Sequence, residues 1–128
     1  MLFAPELTNA SSGSRAEPME VWKTRKYIEE RYTEELSLQR VAKAVNIHPN
    51  YLSEKFKQVT GMNFVVYVAR TRFEKACRLL ENRDVRISEI AFAAGFQSLS
   101  QFNRVFKRFA GKSPTQFRFA KPAVRRHR

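Results

Sequence analysis

The chain carries one apolar pattern twice, about 50 residues apart, and this duplication limits its fold more than any other feature. Leu38, Val41, Ala42, Ala44 and Ile47 recur as Ile87, Ile90, Ala91, Ala93 and Phe96 at an offset of 49. Leu52, Phe56, Lys57, Gly61 and Tyr67 recur as Phe102, Phe106, Lys107, Gly111 and Phe117 at an offset of 50. The single added residue falls in the turn or at the start of the following helix, where length changes are tolerated. Whatever the first copy folds into, the second must fold into as well.

The second copy is the easier to read. Ile87, Ile90, Ala91 and Ala94 have the spacing of a short helix, and Gly95-Phe96 makes a turn. A further helix from Ser98 to Ala110 sets Phe102, Val105, Phe106 and Phe109 against Ser100, Asn103, Arg104, Lys107 and Arg108. Two helices joined by a tight glycine turn, the second with a polar and basic outer face, form a helix-turn-helix pattern. One such pattern is a weak signal, because many small helical domains imitate it. Two in register are a strong one. In the first copy, Ser37 is placed to cap a helix at Leu38, and Asn46 is a turn residue that tolerates positive φ. His48-Pro49 then opens a helix with proline at its first position. Its inner face reads Leu52, Phe56 and Val59, and Thr60-Gly61 closes it. Ser98 to Gln101 and Ser113 to Gln116 both have the spacing of a capping box, the latter opening a final short helix.

Around the copies, residues 19–33 predict an amphipathic helix with Val21, Ile28 and Tyr32 inward. Residues 63–82 predict one long helix broken at Asn82 to Asp84. Its buried stripe is Phe64, Val68, Ala69, Phe73, Ala76, Cys77 and Leu80, with Arg70, Arg72, Lys75 and Arg78 mostly off it. Twenty residues at ~1.5 Å rise span roughly 30 Å, against about 34 Å for a turn of B-DNA. Such a helix could space two recognition helices into successive major grooves, as well as being the longest helix of a bundle.

Charge names the class of partner. The net charge is +12, and Glu6, Glu17 and Glu20 against Arg15 give residues 1–20 a net of −2, so the remainder carries +14. Displacing counterions from a polyanion supplies binding free energy to such a surface. Cys77 is the lone cysteine and falls at an apolar helical position, which excludes an intrachain disulfide. His48 and His127 make no metal-ligand spacing, and no metal or cofactor is expected. No apolar run approaches the ~18 residues that cross a bilayer. Residues 1–18, with Pro5, Asn9 to Ser14 and Pro18, have linker composition and no signal-peptide pattern, so a cytoplasmic location is expected.

Two other classes compete. A non-specific basic helical module for nucleic acid, acidic partners or a membrane surface predicts continuous cationic helices, whereas these are interrupted by caps and turns. A DNA enzyme needs clustered carboxylates, or a nucleophile among arginines. Glu29-Glu30 and Glu34-Glu35 are the only acidic clusters and read more simply as a solvated face.

At Ile90-Ala91, Gly95-Phe96, Ser98, Phe102, Arg104, Phe106-Lys107, Gly111, Ser113-Pro114 and Phe117-Arg118 the chain resembles the AraC/XylS family of bacterial transcription regulators. With the first copy, the resemblance covers about residues 20–119. It implies an all-α, homeodomain-like fold of seven helices, in which two helix-turn-helix subdomains are joined by a long linker helix. It also implies a domain that activates or represses transcription on double-stranded DNA, often touching RNA polymerase, and commonly follows a sensing or dimerising domain. The division expected is a linker over 1–18, a DNA-binding domain over 19–119 and a basic tail over 120–128. Within the domain, the units fall near 37–61 and 86–111, with the linker helix over 63–82.

Outward positions early in each recognition helix should meet base edges. In the second unit these are Leu99, Ser100, Asn103 and Arg104. Arg104 suits guanine O6 and N7, Asn103 adenine, and Leu99 a thymine methyl. A phosphate contact or an intrahelical pair is the other reading of Arg104. Lys107 and Arg108 are better placed for phosphates. In the first unit the matching residues are Asn50, Ser53 and Glu54, with Lys57 for phosphate. Glu54 either accepts from a cytosine amino group or pairs with Lys55 or Lys57 and reads nothing. His48 stands where a hydroxyl cap is usual and could approach a phosphate. Arg40 and Lys43 flank the backbone or form a solvated face. The repeated phenylalanines lie opposite the polar face, so they are core and not a base-stacking platform.

Overall fold

A computed structural model of the chain describes residues 17–125, with side chains as far as residue 120. Most of the segment read as a linker, and Arg126-His127-Arg128 of the basic tail, lie outside the described residues. Those described form seven helices and no strand: α1 (Met19–Arg31), α2 (Leu38–Val45), α3 (Pro49–Thr60), α4 (Phe64–Leu79), α5 (Ile87–Ala93), α6 (Leu99–Ala110) and α7 (Pro114–Arg125). They divide into two compact units. The first comprises α1, α2, α3 and the start of α4; the second comprises the loop 31–36, the rest of α4 and α5 to α7.

In the first unit the apolar period reads directly as burial. Val21, Ile28, Val41, Ala42, Leu52, Phe56 and Phe64 are buried, and the rings of Phe56 and Phe64 meet edge-on at 6.3 Å between centroids. Val59 departs from the expected inner face and is 39% exposed. Ser37 caps α2 by accepting from the Arg40 N–H at 3.1 Å, and Asn46 ends that helix at φ 63°. The Asn46 and Ile47 N–H groups return to carbonyls of α2. His48 caps α3: its Nδ1 accepts from the Asn50 N–H at 3.2 Å, the bond a hydroxyl would otherwise make.

The second unit is built on phenylalanine. Ala76, Leu80, Ile90, Ala91, Ala94, Phe96, Phe102 and Phe106 form its core, with Phe73, Cys77, Val105 and Phe117 packed against it. Phe106 is central, its ring 4.8 Å from Phe73, 5.6 Å from Phe102 and 5.3 Å from Phe117. Ser98 caps α6 by accepting from the Gln101 N–H at 3.0 Å. Gln101 reaches back at 2.8 Å to the N–H of Gln97 and not, as a capping box requires, to that of Ser98. The N–H it reaches belongs to the extra residue of this copy. Caps His48 and Ser98 correspond at an offset of 50 while Ile47 and Phe96 correspond at 49, so Gln97 is the insertion. The box at Ser113 and Gln116 closes in both directions, at 3.1 and 2.9 Å.

Three boundaries differ from the sequence reading. Helix α1 stops at Arg31, short of Thr33. Helix α4 covers sixteen residues rather than twenty, about 24 Å at 1.5 Å rise. Its end tightens, with the N–H groups of Glu81 and Asn82 bonding three residues back, to Arg78 and Leu79. Helix α7 continues through Pro122 to Arg125, where a tail was expected from residue 120.

Two arginines hold the loops before the scaffold helices. Arg72, expected off the buried stripe, is half-buried and donates through Nε to the Tyr32 carbonyl at 2.7 Å and through Nη2 to that of Glu34 at 2.8 Å. Desolvation by burial lowers its pKa. Arg118, 9% exposed, donates to the carbonyls of Leu80, Asn82 and Val85 at 3.1, 3.0 and 2.8 Å. Gly95, at φ 99°, packs so closely that an added Cβ would stand 2.4 Å from the Tyr32 carbonyl oxygen.

Replacing Gly95 by Ala therefore adds a steric clash to left-handed strain and is expected to cost about 2–4 kcal/mol. The same change at Gly61 or Gly111, where nothing lies within 4 Å, meets strain alone and should cost about 1 kcal/mol. Urea unfolding of the three variants gives the ranking. Arg118→Met removes the donor from three loop carbonyls and should cost about 2–4 kcal/mol by the same assay.

Candidate nucleic-acid interface

Helices α3 and α6 occupy the same place in their two units and have the same length, twelve residues. Each begins at a capped N-terminus and ends at a left-handed glycine, Gly61 or Gly111, whose N–H bonds the carbonyl of Lys57 or Lys107 at 2.8 Å. Each is anchored by two fully buried residues four apart, Leu52 and Phe56 in α3, Phe102 and Phe106 in α6. At about 100° per residue the direction opposite these anchors falls on the sixth helical position. That position is Glu54 in α3 and Arg104 in α6. The packing that buries the anchors thus fixes which side chains face solvent.

On α6 the expected residues share one surface. Leu99 is 41% exposed, and Ser100, Asn103, Arg104, Lys107 and Arg108 are all exposed. Among the described residues none of these side chains enters a hydrogen bond or ion pair, so the intrahelical pair considered for Arg104 is not formed. Three cations on one helix face, without a carboxylate beside them, make a local positive field. The Ser98 cap places the Leu99 and Ser100 backbone at the positive end of the helix dipole.

On α3 the surface is different in kind. Asn50, Glu54 and Lys57 are exposed, while Ser53 is half-buried at the edge of the face. Glu54 forms no ion pair with Lys55 or Lys57 among the described residues. His48 is exposed with its Nδ1 engaged by the cap, which leaves the Nε2 side of the ring directed away from that bond. On α2, Arg40 and Lys43 are exposed. Sequence reasoning passed over Tyr51, 48% exposed at the third position of α3, with its hydroxyl 3.4 Å from a Glu20 carboxylate oxygen. The helical period of α3 was the available signal. It also missed the loop-holding arginines, whose partners are backbone carbonyls and carry no side-chain pattern.

Among the described residues, no group of three or more His, Cys, Asp or Glu could hold a metal ion. No helix among them is long and apolar enough to cross a membrane.

Comparison with known proteins agrees with this geometry. The model of a helix-turn-helix domain family matches residues 41–120. The uncharacterized helix-turn-helix-type transcriptional regulator YijO of Escherichia coli K12 is 39% identical over 94 residues, which are 73% of this chain and 33% of that protein. Among solved structures, the C-terminal domain of AraT, a response regulator from Geobacillus stearothermophilus, superposes with a TM-score of 0.79 at 36% identity. That match covers 84% of this chain and 89% of the other. The DNA-binding domain of AdpA, a global transcriptional factor crystallised with a target DNA, gives a TM-score of 0.77 at 25% identity over 83% of this chain and 96% of that one. The chain spans about a third or less of the length of the curated relatives it matches. With two capped helix-turn-helix units and these relatives, the chain belongs to the AraC/XylS family of helix-turn-helix transcription regulators and contains that family's DNA-binding domain.

Proposed function

We propose that the chain binds double-stranded DNA sequence-specifically in the major groove and thereby regulates transcription, as part of a larger signal- or ligand-responsive regulator. The observation that carries this reading is the outer face of α6, where Leu99, Ser100, Asn103, Arg104, Lys107 and Arg108 stand exposed on a helix whose opposite side is locked into a phenylalanine core. A face of this kind has fixed hydrogen-bonding groups for base edges near its N-terminus and cations for phosphates a turn later. In α3, Asn50, Ser53 and Glu54 take the base-edge role, with Lys57, His48 and Arg40 beside the backbone. The function is non-enzymatic, RNA polymerase is the further partner, and the cytoplasm is the location. Relatives far longer than this chain support the larger-regulator reading.

Selection of bound duplexes from a random library of ~30 base pairs, at low salt and at ~150 mM salt, tests the proposal. Two short enriched blocks are expected, one for each recognition helix. A single block would restrict base reading to α6. Salt-sensitive binding without any enrichment would overturn specificity in favour of a general polyanion binder. Single substitutions then separate the roles. Arg104→Ala should relax one base position and weaken the selected site by about 1–3 kcal/mol. Lys107→Ala should weaken all duplexes alike and reduce the slope of log affinity against log salt by about 1, measured by titration across salt.

A further inference from the structure

We infer that Glu54 is a cytosine reader, and that the two recognition helices call for oppositely oriented G·C pairs at the same helical position. This rests on the duplex-DNA reading above and deepens it.

Glu54 and Arg104 are the same residue of the repeat, related by the offset of 50 that aligns Leu52 with Phe102 and Phe56 with Phe106. Each is sixth in its helix and exposed. Each faces directly away from a pair of anchors with no solvent exposure. The two side chains therefore present opposite chemistry from one geometry. Arg104 offers only donors, and the matching partner in the major groove is guanine, with acceptors at O6 and N7. Glu54 offers only acceptors. Every other base presents an acceptor at its major-groove edge, N7 on the purines or O4 on thymine, and cytosine alone presents only the N4 amino donor.

A structural role for Glu54 has no support in its surroundings. The carboxylate has no hydrogen bond or ion pair among the described residues, although Lys55 and Lys57 are on the same helix. It lies in the second turn of α3, past the first turn where a carboxylate best complements the helix dipole, and His48 already serves as the cap. An unpaired carboxylate on a face directed at phosphates weakens binding to every sequence that does not offer it a donor. Glu54 thus discriminates twice, by accepting from cytosine and by repelling acceptor edges and unspecific backbone. In its own frame each helix then meets a G·C pair. The base facing α6 at this position is guanine, and the base facing α3 is cytosine. The operator is in this respect not a plain repeat, although the protein is one.

The test is the duplex selection carried out on the full chain with wild-type protein, Glu54→Ala, Glu54→Gln and Arg104→Ala. Wild type should enrich one block with a fixed cytosine and one with a fixed guanine. Glu54→Ala should lose the cytosine preference, about five- to hundredfold, leave the guanine block intact and bind random duplex more tightly. Glu54→Gln should move the preference from cytosine to adenine, which glutamine pairs through N6 and N7. Arg104→Ala should erase the guanine in the other block only. Unchanged thermal midpoints would show that the exposed substitutions leave the fold alone. Glu54 variants that enrich the wild-type sequence with undiminished preference would overturn the assignment while leaving sequence-specific binding standing. Failure of wild type to enrich any sequence would overturn both.

Discussion

The carbonyl of Tyr32 accepts from the Arg72 guanidinium at 2.7 Å and lies where a side chain on Gly95 would have to stand, and the second unit depends on this meeting. The loop 31–36 can lie against the α5–α6 turn only because the turn residue has no Cβ and because a buried donor satisfies the loop's inward carbonyls. Without the donor, the loop would bury polar groups at a cost comparable to a large share of a small domain's stability. Without the glycine, the turn would be pushed away, and the entry angle of α6 with it. The loop ahead of α5 meets the same requirement through Arg118. In both places a long cation from a following helix supplies what no local turn chemistry can.

How much of this was written in the sequence depends on the range of the interaction. Local signals were legible. Ser37, Ser98 and Ser113 cap where their spacing says they should, Pro49 opens α3, and Asn46 takes the left-handed conformation that its small polar side chain tolerates. The anchors Leu52, Phe56, Phe102 and Phe106 follow from period 3.6 alone, because a helix can bury only one stripe. The exposed faces of α3 and α6 were legible for the same reason, being what remains opposite the stripe. Non-local bonds to backbone were not. Arg72 sits forty residues from the carbonyl it holds, and nothing in its neighbours distinguishes it from the exposed Arg70 four residues from its partner Glu74. Val59 looked inward by period and is 39% exposed in the last turn of α3.

The repeat is closer in backbone than in use. Asn46 and Gly95 stand at the same step of the turn with φ 63° and 99°, yet Asn46 is exposed while Gly95 is buried against the Tyr32 carbonyl. At their caps His48 and Ser98 accept alike, one through an imidazole nitrogen and one through a hydroxyl. Glu54 and Arg104 share a position and reverse its charge. The buried anchors of α3 and α6 thus stay apolar at the same two positions, while the exposed sides have diverged in chemistry. Such a division is expected where the core specifies only volume and the surface specifies a partner.

Arg118 has a bearing on what counts as a unit of this fold. The donor that completes the loop before a helix-turn-helix comes from the helix after it, as does the ring of Phe117 that closes on Phe106. A segment ending at Gly111 would retain both helices and the turn while leaving three carbonyls and one face of a central ring uncovered. A block able to close this interior therefore runs past Gly111 into α7, and it also needs α4, whose Phe73 and Ala76 line the same core. The repeat stops just short of that closure: its matches end at Tyr67 and Phe117, and the position of Arg118 is held by Val68 in the first copy, so what was copied is the helix-turn-helix and not the donor that completes it.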